Sequence, residues 1–334
     1  MKLDEEVFYG QQQVYASNFY QRGRLMTVAT VSRISIPESL AAPSSTENQV
    51  PNSSGAEAPR LKAPANACDC HIHIYDDRFP ITGPTKRLVT NARVEEYRLL
   101  QKRIGTTRTV VVTPGPYVTD NRVTLDGVSQ LGLSHARGIA VIHPDITDAE
   151  LKKMADGGIR GIRFTLFDPT TAVTNFEMIE PLAKRVNDLG WHVQLHFRGD
   201  QIVEHEDLLK HIVSPIVFDH IGRLPQPEGV KYPAFQVISR LIDKGRTWVK
   251  LSGAYQDSKV GPPTYADVTE VVRAFLKAGP ERMVWGSDWP HPTERDHKPN
   301  DAVLFDLLAE WAPDEALRKR ILVDNPAVLY GFPK

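Results

Sequence analysis

Six stretches of this chain end in residues able to move a proton or hold an oxygen. In CDCHIHIYDD, residues 68–77, His71 and His73 lie one residue apart in an apolar, β-prone run. Side chains on a strand alternate faces, so the two imidazoles point one way while Ile72 and Ile74 point the other. Such a pair can hold an oxygen by hydrogen bonds to a carbonyl, or through a divalent metal bound at imidazole nitrogen. Later runs carry Arg163 (GIRGIRF), His196 (WHVQLHF), Asp219-His220 (VFDHIGR), Lys250 and Ser252 (TWVKLSG) and Asp288 (GSDWP) at corresponding places.

Each residue has a plain structural use and a chemical one. Asp288 could be an N-cap or loop carboxylate, a frequent use of Asp. Facing several imidazoles, it would instead be held ionised as a general base, and its strand-end position favours this. His71 and His73 could be structural histidines of a barrel floor, or the groups that lower the cost of an oxyanion. His220 is expected to polarise or orient a scissile ester, with Asp219 alternating to the other face and serving structure. Arg163 and Arg223 are candidates to clasp a substrate carboxylate. Ser252 and Tyr255 could meet substrate hydroxyls, and His291, with His143, His297 and Tyr117, is expected at the mouth. His192 is expected to pack, and His135, His205 and His211 to lie on the surface.

These residues must be positioned by the runs that end in them. Eight short β-branched runs recur, at 67–75, 107–113, 136–142, 158–167, 191–197, 215–221, 247–253 and 281–288. Helical patterns such as RVEEYRLLQKRIG and ADVTEVVRAFLKAG lie between them, and Thr147 to Glu150 forms a capping box. Strands alternating with helices imply parallel βαβ units. An open doubly wound sheet would alternate in the same way. Polar residues at the same end of six runs decide for an α/β fold of (β/α)8, TIM-barrel type, whose chemistry gathers at the C-terminal strand ends.

With 334 residues, 41% hydrophobic, the chain has ample apolar mass for a core. A net charge of -1 gives no general attraction to nucleic acid or to a membrane surface, and no stretch reads as a bilayer span. Cys68 and Cys70, one residue apart on one strand, are badly placed for a disulfide and fit a reducing, cytoplasmic setting. Residues 1–60 read as a flexible extension, rich in Pro, Ser, Ala and Asn without periodicity, ahead of a barrel over 61–334. Within it, QRGRLMTVATVSRISIPESLAAP is similar to an export signal, but Arg33 interrupts its apolar middle, and a disordered extension is preferred. Removing residues 1 to about 55 is therefore expected to leave folding and turnover nearly intact.

The motifs CDCHIHIYD, GIRGIRF, VFDHIGRLPQP, KLSGAY, VWGSDWPHP and LVDNPAVLYGF, in that order from about Lys62 to the C-terminus, resemble the amidohydrolase superfamily. The wording is closest to its amidohydrolase-2 branch and to the lactone-processing group there, with 2-pyrone-4,6-dicarboxylate lactonase, 4-sulfomuconolactone hydrolase and galactarolactone isomerase. The resemblance implies hydrolysis of a small carboxylated or polyhydroxylated lactone, with Asp288 as base and then acid, and His71, His73, His196 and His220 polarising the carbonyl. Lactone isomerisation by the same residues, or metal-dependent decarboxylation, are the alternatives it implies. A catalytically dead barrel used for binding is the remaining reading, and the retained Asp288 and histidines argue against it. The strand-four lysine that bridges two metals in other members is missing here, which argues against a binuclear centre. A single zinc on His71, His73, His196 and Asp288 is conceivable, but the expectation is that no metal is required. The partner is then a small-molecule lactone, with a homo-oligomer open. Asp168, where extra positive charge would help a dicarboxylate, favours a less charged substrate.

Overall fold

Short runs of β-branched residues buried on both faces form strands that pair with their sequence neighbours, because each is followed by an amphipathic helix that packs back on the sheet. The computed structural model describes residues 49–83 and 91–333. All eight expected strands are present: β1 (Cys68–Ile72), β2 (Arg108–Val112), β3 (Ala136–Ala140), β4 (Ile159–Thr165), β5 (His192–His196), β6 (Ile216–Phe218), β7 (Thr247–Leu251) and β8 (Met283–Trp285). They pair in parallel in chain order from β1 to β8. The ring is closed just beyond the last strand, where His73 N donates to Trp289 O at 2.8 Å and Asp288 N donates to His71 O at 2.9 Å. The side chain of Asp69 braces this seam, accepting from Ser287 N at 2.9 Å and Ser287 Oγ at 2.6 Å. The architecture is the expected (β/α)8 barrel.

Two packed regions follow from strand alternation. Inward residues Cys70, Val112, Ile139, Val217, Trp248 and Val284 fill the barrel with Tyr330 and Phe332 of the C-terminal segment, while outward residues pack against the helices. Both cysteines are free and buried. The β1–β2 register shifts between Asp69 and Ile72, so Cys70 and His71 both belong to the interior. Gly161 leaves room inside the barrel, since a Cβ there would sit 2.6 Å from the His192 ring. Outside, the capping box forms as expected, with Thr147 Oγ1 accepting from Glu150 N at 3.2 Å ahead of helix Asp148–Asp156.

Part of the expected extension contacts the barrel: among the described residues, 49–61 run across its outside. Val50 is buried. Pro51 O accepts from Trp289 Nε1 at 2.8 Å, Ser54 N donates to Pro299 O at 3.0 Å, and Arg103 binds Gly55 O, Ser54 O, Ser53 Oγ and Asn300 Oδ1 at 2.8–3.1 Å. A composition poor in periodicity still anchors here, because its carbonyls satisfy a buried guanidinium and a buried indole. The stretch similar to an export signal lies outside the described residues. These contacts argue against the expectation that removing residues 1 to about 55 leaves folding nearly intact. A chain begun at residue 57 leaves Trp289 Nε1 without Pro51 O and Arg103 with Asn300 Oδ1 in place of four acceptors, and should melt at least about 5 °C below one begun at residue 49, read by calorimetry. Equal melting temperatures would show the strap to be energetically idle.

Candidate active site

The C-terminal strand ends open into a cavity of about 350 Å³ whose floor includes His73, Arg163, His196, His220, Gln256 and Asp288. Its wall mixes apolar side chains, among them Val118, Val141, Phe167 and Pro292, with threonines and Asp168. Backbone strain clusters at this mouth: φ is +48° at His220, +49° at Arg223, +66° at Asp288 and +55° at His291. Non-glycine residues held there mark places where the chain is turned to aim a side chain.

Asp288 is buried and its two oxygens are differently employed. Oδ2 accepts from Tyr255 OH at 2.7 Å and from Gln256 Nε2 at 2.8 Å. Oδ1 faces His71 Nε2 and His73 Nε2, each at 3.6 Å. Burial opposes ionisation, but the imidazoles of His220, His73 and His71 hold the carboxyl well below the usual carboxylate range. Burial and the adjacent Asp288 push the Tyr255 phenol well above its ordinary value, so it stays a donor.

The His-x-His pair is satisfied in a way the sequence does not reveal. His73 Nδ1 lies 2.8 Å from Val112 O, which only accepts, so the proton of a neutral ring sits on Nδ1 and leaves Nε2 bare. His71 Nε2 is 3.2 Å from that bare nitrogen. Burial, then the neighbouring Lys250 ammonium, push His71 well down, while Asp219 pulls the other way. Its Nδ1 stands between Lys250 Nζ and Asp219 Oδ1, each at 3.3 Å. In that tautomer of His73 its cavity-facing Nε2 meets His71 Nε2 and Asp288 Oδ1.

Beneath the pair lies Asp219, which faces inward where the other face was expected. Asp219 continues the inward face of Val217, whereas His220 would turn outward but for its positive φ. Asp219 Oδ2 accepts from Arg163 Nε at 2.9 Å and Gln194 Nε2 at 3.0 Å, and Oδ1 lies 3.3 Å from His71 Nδ1 and 3.7 Å from Lys250 Nζ. Gln194 Oε1 in turn accepts from Lys250 Nζ at 2.7 Å. Burial opposes ionisation of Asp219, but its cationic neighbours, Arg163 foremost, hold it well below the ordinary range. Burial lowers Lys250 to about 8, with Asp219 pulling the other way.

His220 Nδ1 is 3.0 Å from Ser252 Oγ. Burial lowers His220 to about 4, so at neutral pH it is uncharged. The tautomer in which Ser252 donates to Nδ1 leaves Nε2–H for the cavity. A neutral imidazole in that position can donate to a carbonyl without first giving up a proton. His196 is occupied: Arg223 Nη1 donates to its Nε2 at 3.0 Å, and its Nδ1 is buried without a partner among the described residues. Burial, then Arg163, push His196 well down.

Of the expected substrate contacts, only Arg163 lines the cavity. Arg223 is clasped bidentately by Asp257 at 2.7 and 3.0 Å and stacks over Phe167, its guanidinium carbon 4.2 Å from the ring centre. Ser252, Tyr255 and His291 stand behind His220 and Asp288, each bonded to a neighbour rather than open to the cavity. Gln194, Gln256, Asp257 and Asp301 complete these contacts. Gln194 was readable as a polar residue on the inward parity of β5, but the others lie past strand ends and carry no such signal.

The residues fit a divalent ion only in part. His71, His73 and Asp288 bring ligand atoms together, as do His71, Asp219 and His220. The expected fourth ligand is not among them, because the His196 Nε2 lone pair is taken by Arg223. In the first group a metal would compete for Asp288 Oδ1, the oxygen that is otherwise free.

Residues 68–332 match the family model described as amidohydrolase. The chain belongs to the amidohydrolase family. It is 36% identical over 276 residues to a 4-sulfomuconolactone hydrolase of Rhizobium radiobacter, covering 80% of this chain and 91% of that protein. Similarity to a 2-pyrone-4,6-dicarboxylate hydrolase of Comamonas testosteroni is 33% over 282 residues, covering 81% and 92%. A D-galactarolactone isomerase of Agrobacterium fabrum matches at 32% over 277 residues, covering 82% and 94%. In three dimensions this amidohydrolase superposes on an apo protein from Agrobacterium tumefaciens with a TM-score of 0.75 and 30% identity, covering 84% of this chain and 99% of that one.

Asp219 is the test of this interior. Asp219→Asn would leave Arg163 and Lys250 buried beside a neutral amide and should lower the unfolding free energy by about 3–5 kcal/mol, read by urea titration at pH 7. A change below about 1 kcal/mol would mean that the cations find other partners.

Proposed function

We propose that this amidohydrolase hydrolyses a small lactone carrying one carboxylate. The observation that carries the reading is the division of labour within Asp288: Oδ2 is pinned by two donors, and Oδ1 is left toward a cavity that also holds a neutral imidazole and a guanidinium. Asp288 Oδ1 takes a proton from water as its oxygen attacks the lactone carbonyl. His220 Nε2–H donates to the oxygen that gains charge. The ring C–O bond then breaks, and the proton on Asp288 passes to the departing alkoxide. The product is a hydroxy acid that ionises, so each turnover releases one proton.

The same residues bear on substrate charge. Arg163 uses Nε on Asp219 and keeps its outer edge for the cavity, enough for one carboxylate, whereas Arg223 is committed to Asp257. The apolar side chains of the wall, and Asp168 in the same wall, suit an uncharged remainder. A dianion such as a pyrone dicarboxylate suits this cavity less well. The likeness to a lactone isomerase supports one second reading, in which a substrate hydroxyl replaces water at the attack position.

A divalent ion, if bound, would sit on His71, His73 and Asp288 and would supply Lewis-acid polarisation of the carbonyl. We favour turnover without it, since Lys250 and Arg163 already bring positive charge beside these ligands and a lactone is an activated ester. The two buried thiols suit a reducing compartment, and we place the chain in the cytoplasm. Among the described residues no helix is long and apolar enough to cross a membrane.

Three outcomes are expected. A lactone panel followed by proton release should give turnover that Asp288→Asn lowers at least about 10³-fold. Unchanged turnover in that variant would remove Asp288 from the chemistry. Arg163→Met should raise KM for anionic lactones about 10–100-fold and for neutral ones little, whereas Arg223→Met should affect both alike. Selective loss in Arg223→Met would return that residue to the substrate. Exhaustive chelation, with metal content measured on the same sample, should leave turnover standing. Activity that vanishes and returns with zinc would show that the metal is required.

A further inference from the structure

Behind Asp288 runs a line of buried groups that the mechanism above does not use. Tyr255 OH donates to Asp288 Oδ2 at 2.7 Å, His291 Nδ1 lies 3.1 Å from Tyr255 OH, and His291 Nε2 lies 3.1 Å from Asp301 Oδ2. His291 and Asp301 are fully buried, and Asp301 opens helix Asp301–Trp311. We propose that His291, oriented by Asp301, is a positioning residue that donates Nδ1–H to the Tyr255 oxygen and thereby holds the Tyr255 hydroxyl on Asp288.

Proton counting carries this. Tyr255 has one hydroxyl proton, and an ionised Asp288 only accepts, so that proton lies toward Asp288. The phenol oxygen therefore faces His291 as an acceptor, and Nδ1 must supply the hydrogen. On the other side Asp301 Oδ2, 3.1 Å from Nε2, fixes the ring so that Nδ1 stays aimed at the phenol oxygen. With Nδ1–H there, Tyr255 cannot swing toward His291. A phenol that accepts a hydrogen bond is itself a stronger donor, so the chain tightens the bond to Oδ2. Asp288 is then fixed with Oδ1 forward. Two residues of the line, Asp288 and His291, are held at positive φ, which is what aiming both from one short loop requires. The strap reaches the same line, since Asp301 N donates to Ser53 Oγ at 3.3 Å.

The proposal rests on Asp288 as the base, so its test has an arm that needs no turnover. In full-length protein with ¹⁵N-labelled histidine, imidazole N–H correlations assigned with His291→Asn should show a slowly exchanging proton on Nδ1 of His291. Tyr255→Phe should move that resonance and speed its exchange. A bare Nδ1, or a resonance indifferent to Tyr255, overturns the proposal. In kinetics with the fastest lactone of the panel, His291→Leu should lower kcat about tenfold with KM within about twofold. His291→Asn, which still offers an amide N–H, should retain more. In the Tyr255→Phe background His291→Leu should add less than about twofold, because its partner is gone. The same tenfold loss in both backgrounds would mean a merely structural histidine. Full turnover in Asp288→Asn would overturn the base reading, while the NMR arm would still judge the bond.

Discussion

One buried carboxylate sets the conditions for the whole barrel interior. Asp219 is the only partner that Arg163 Nε has among the described residues, and it shares Lys250 with Gln194 and His71. A cation taken out of water without such a counter-charge costs several kcal/mol. With Asp219 in place, two cations can stand under the mouth of a barrel whose lower half is hydrocarbon. Everything above inherits that arrangement. Lys250 and Asp219 meet His71, His71 meets His73, and Arg163 lines the cavity.

Above that layer, each group with a chemical part to play is held by a neighbour that has none. Ser252 holds His220, and Tyr255 with Gln256 holds Asp288. Orientation of this kind costs nothing at the moment of reaction, because the donors are already in place. The positive-φ residues at the strand ends are the local cost of it. The tight seam between β1 and β8 brings His71, His73 and Asp288 within reach of one another.

Much of this was legible in the chain itself. Eight β-branched runs with amphipathic segments between them encode the barrel, and the period-two spacing of His71 and His73 encodes a shared face. Sidedness stopped being legible where strands end. Alternation puts Asp219 inward, and only the positive φ of His220, which no local pattern announces, turns the next side chain inward too. Arg223 resembled an anion-binding loop arginine because its partner Asp257 sits 34 residues away in another loop. The strap over 49–61 was illegible for a different reason: it is anchored by its carbonyls, and backbone groups leave no trace in composition.

The central claim is that Asp288 activates water against a lactone carbonyl. The most direct measurement is a single turnover in H₂¹⁸O with the product examined by NMR and mass spectrometry. The account predicts an open hydroxy acid with one ¹⁸O in its new carboxylate and one proton released per molecule. A ring-shifted lactone with neither ¹⁸O nor released proton would contradict it and put a substrate hydroxyl where the account places water.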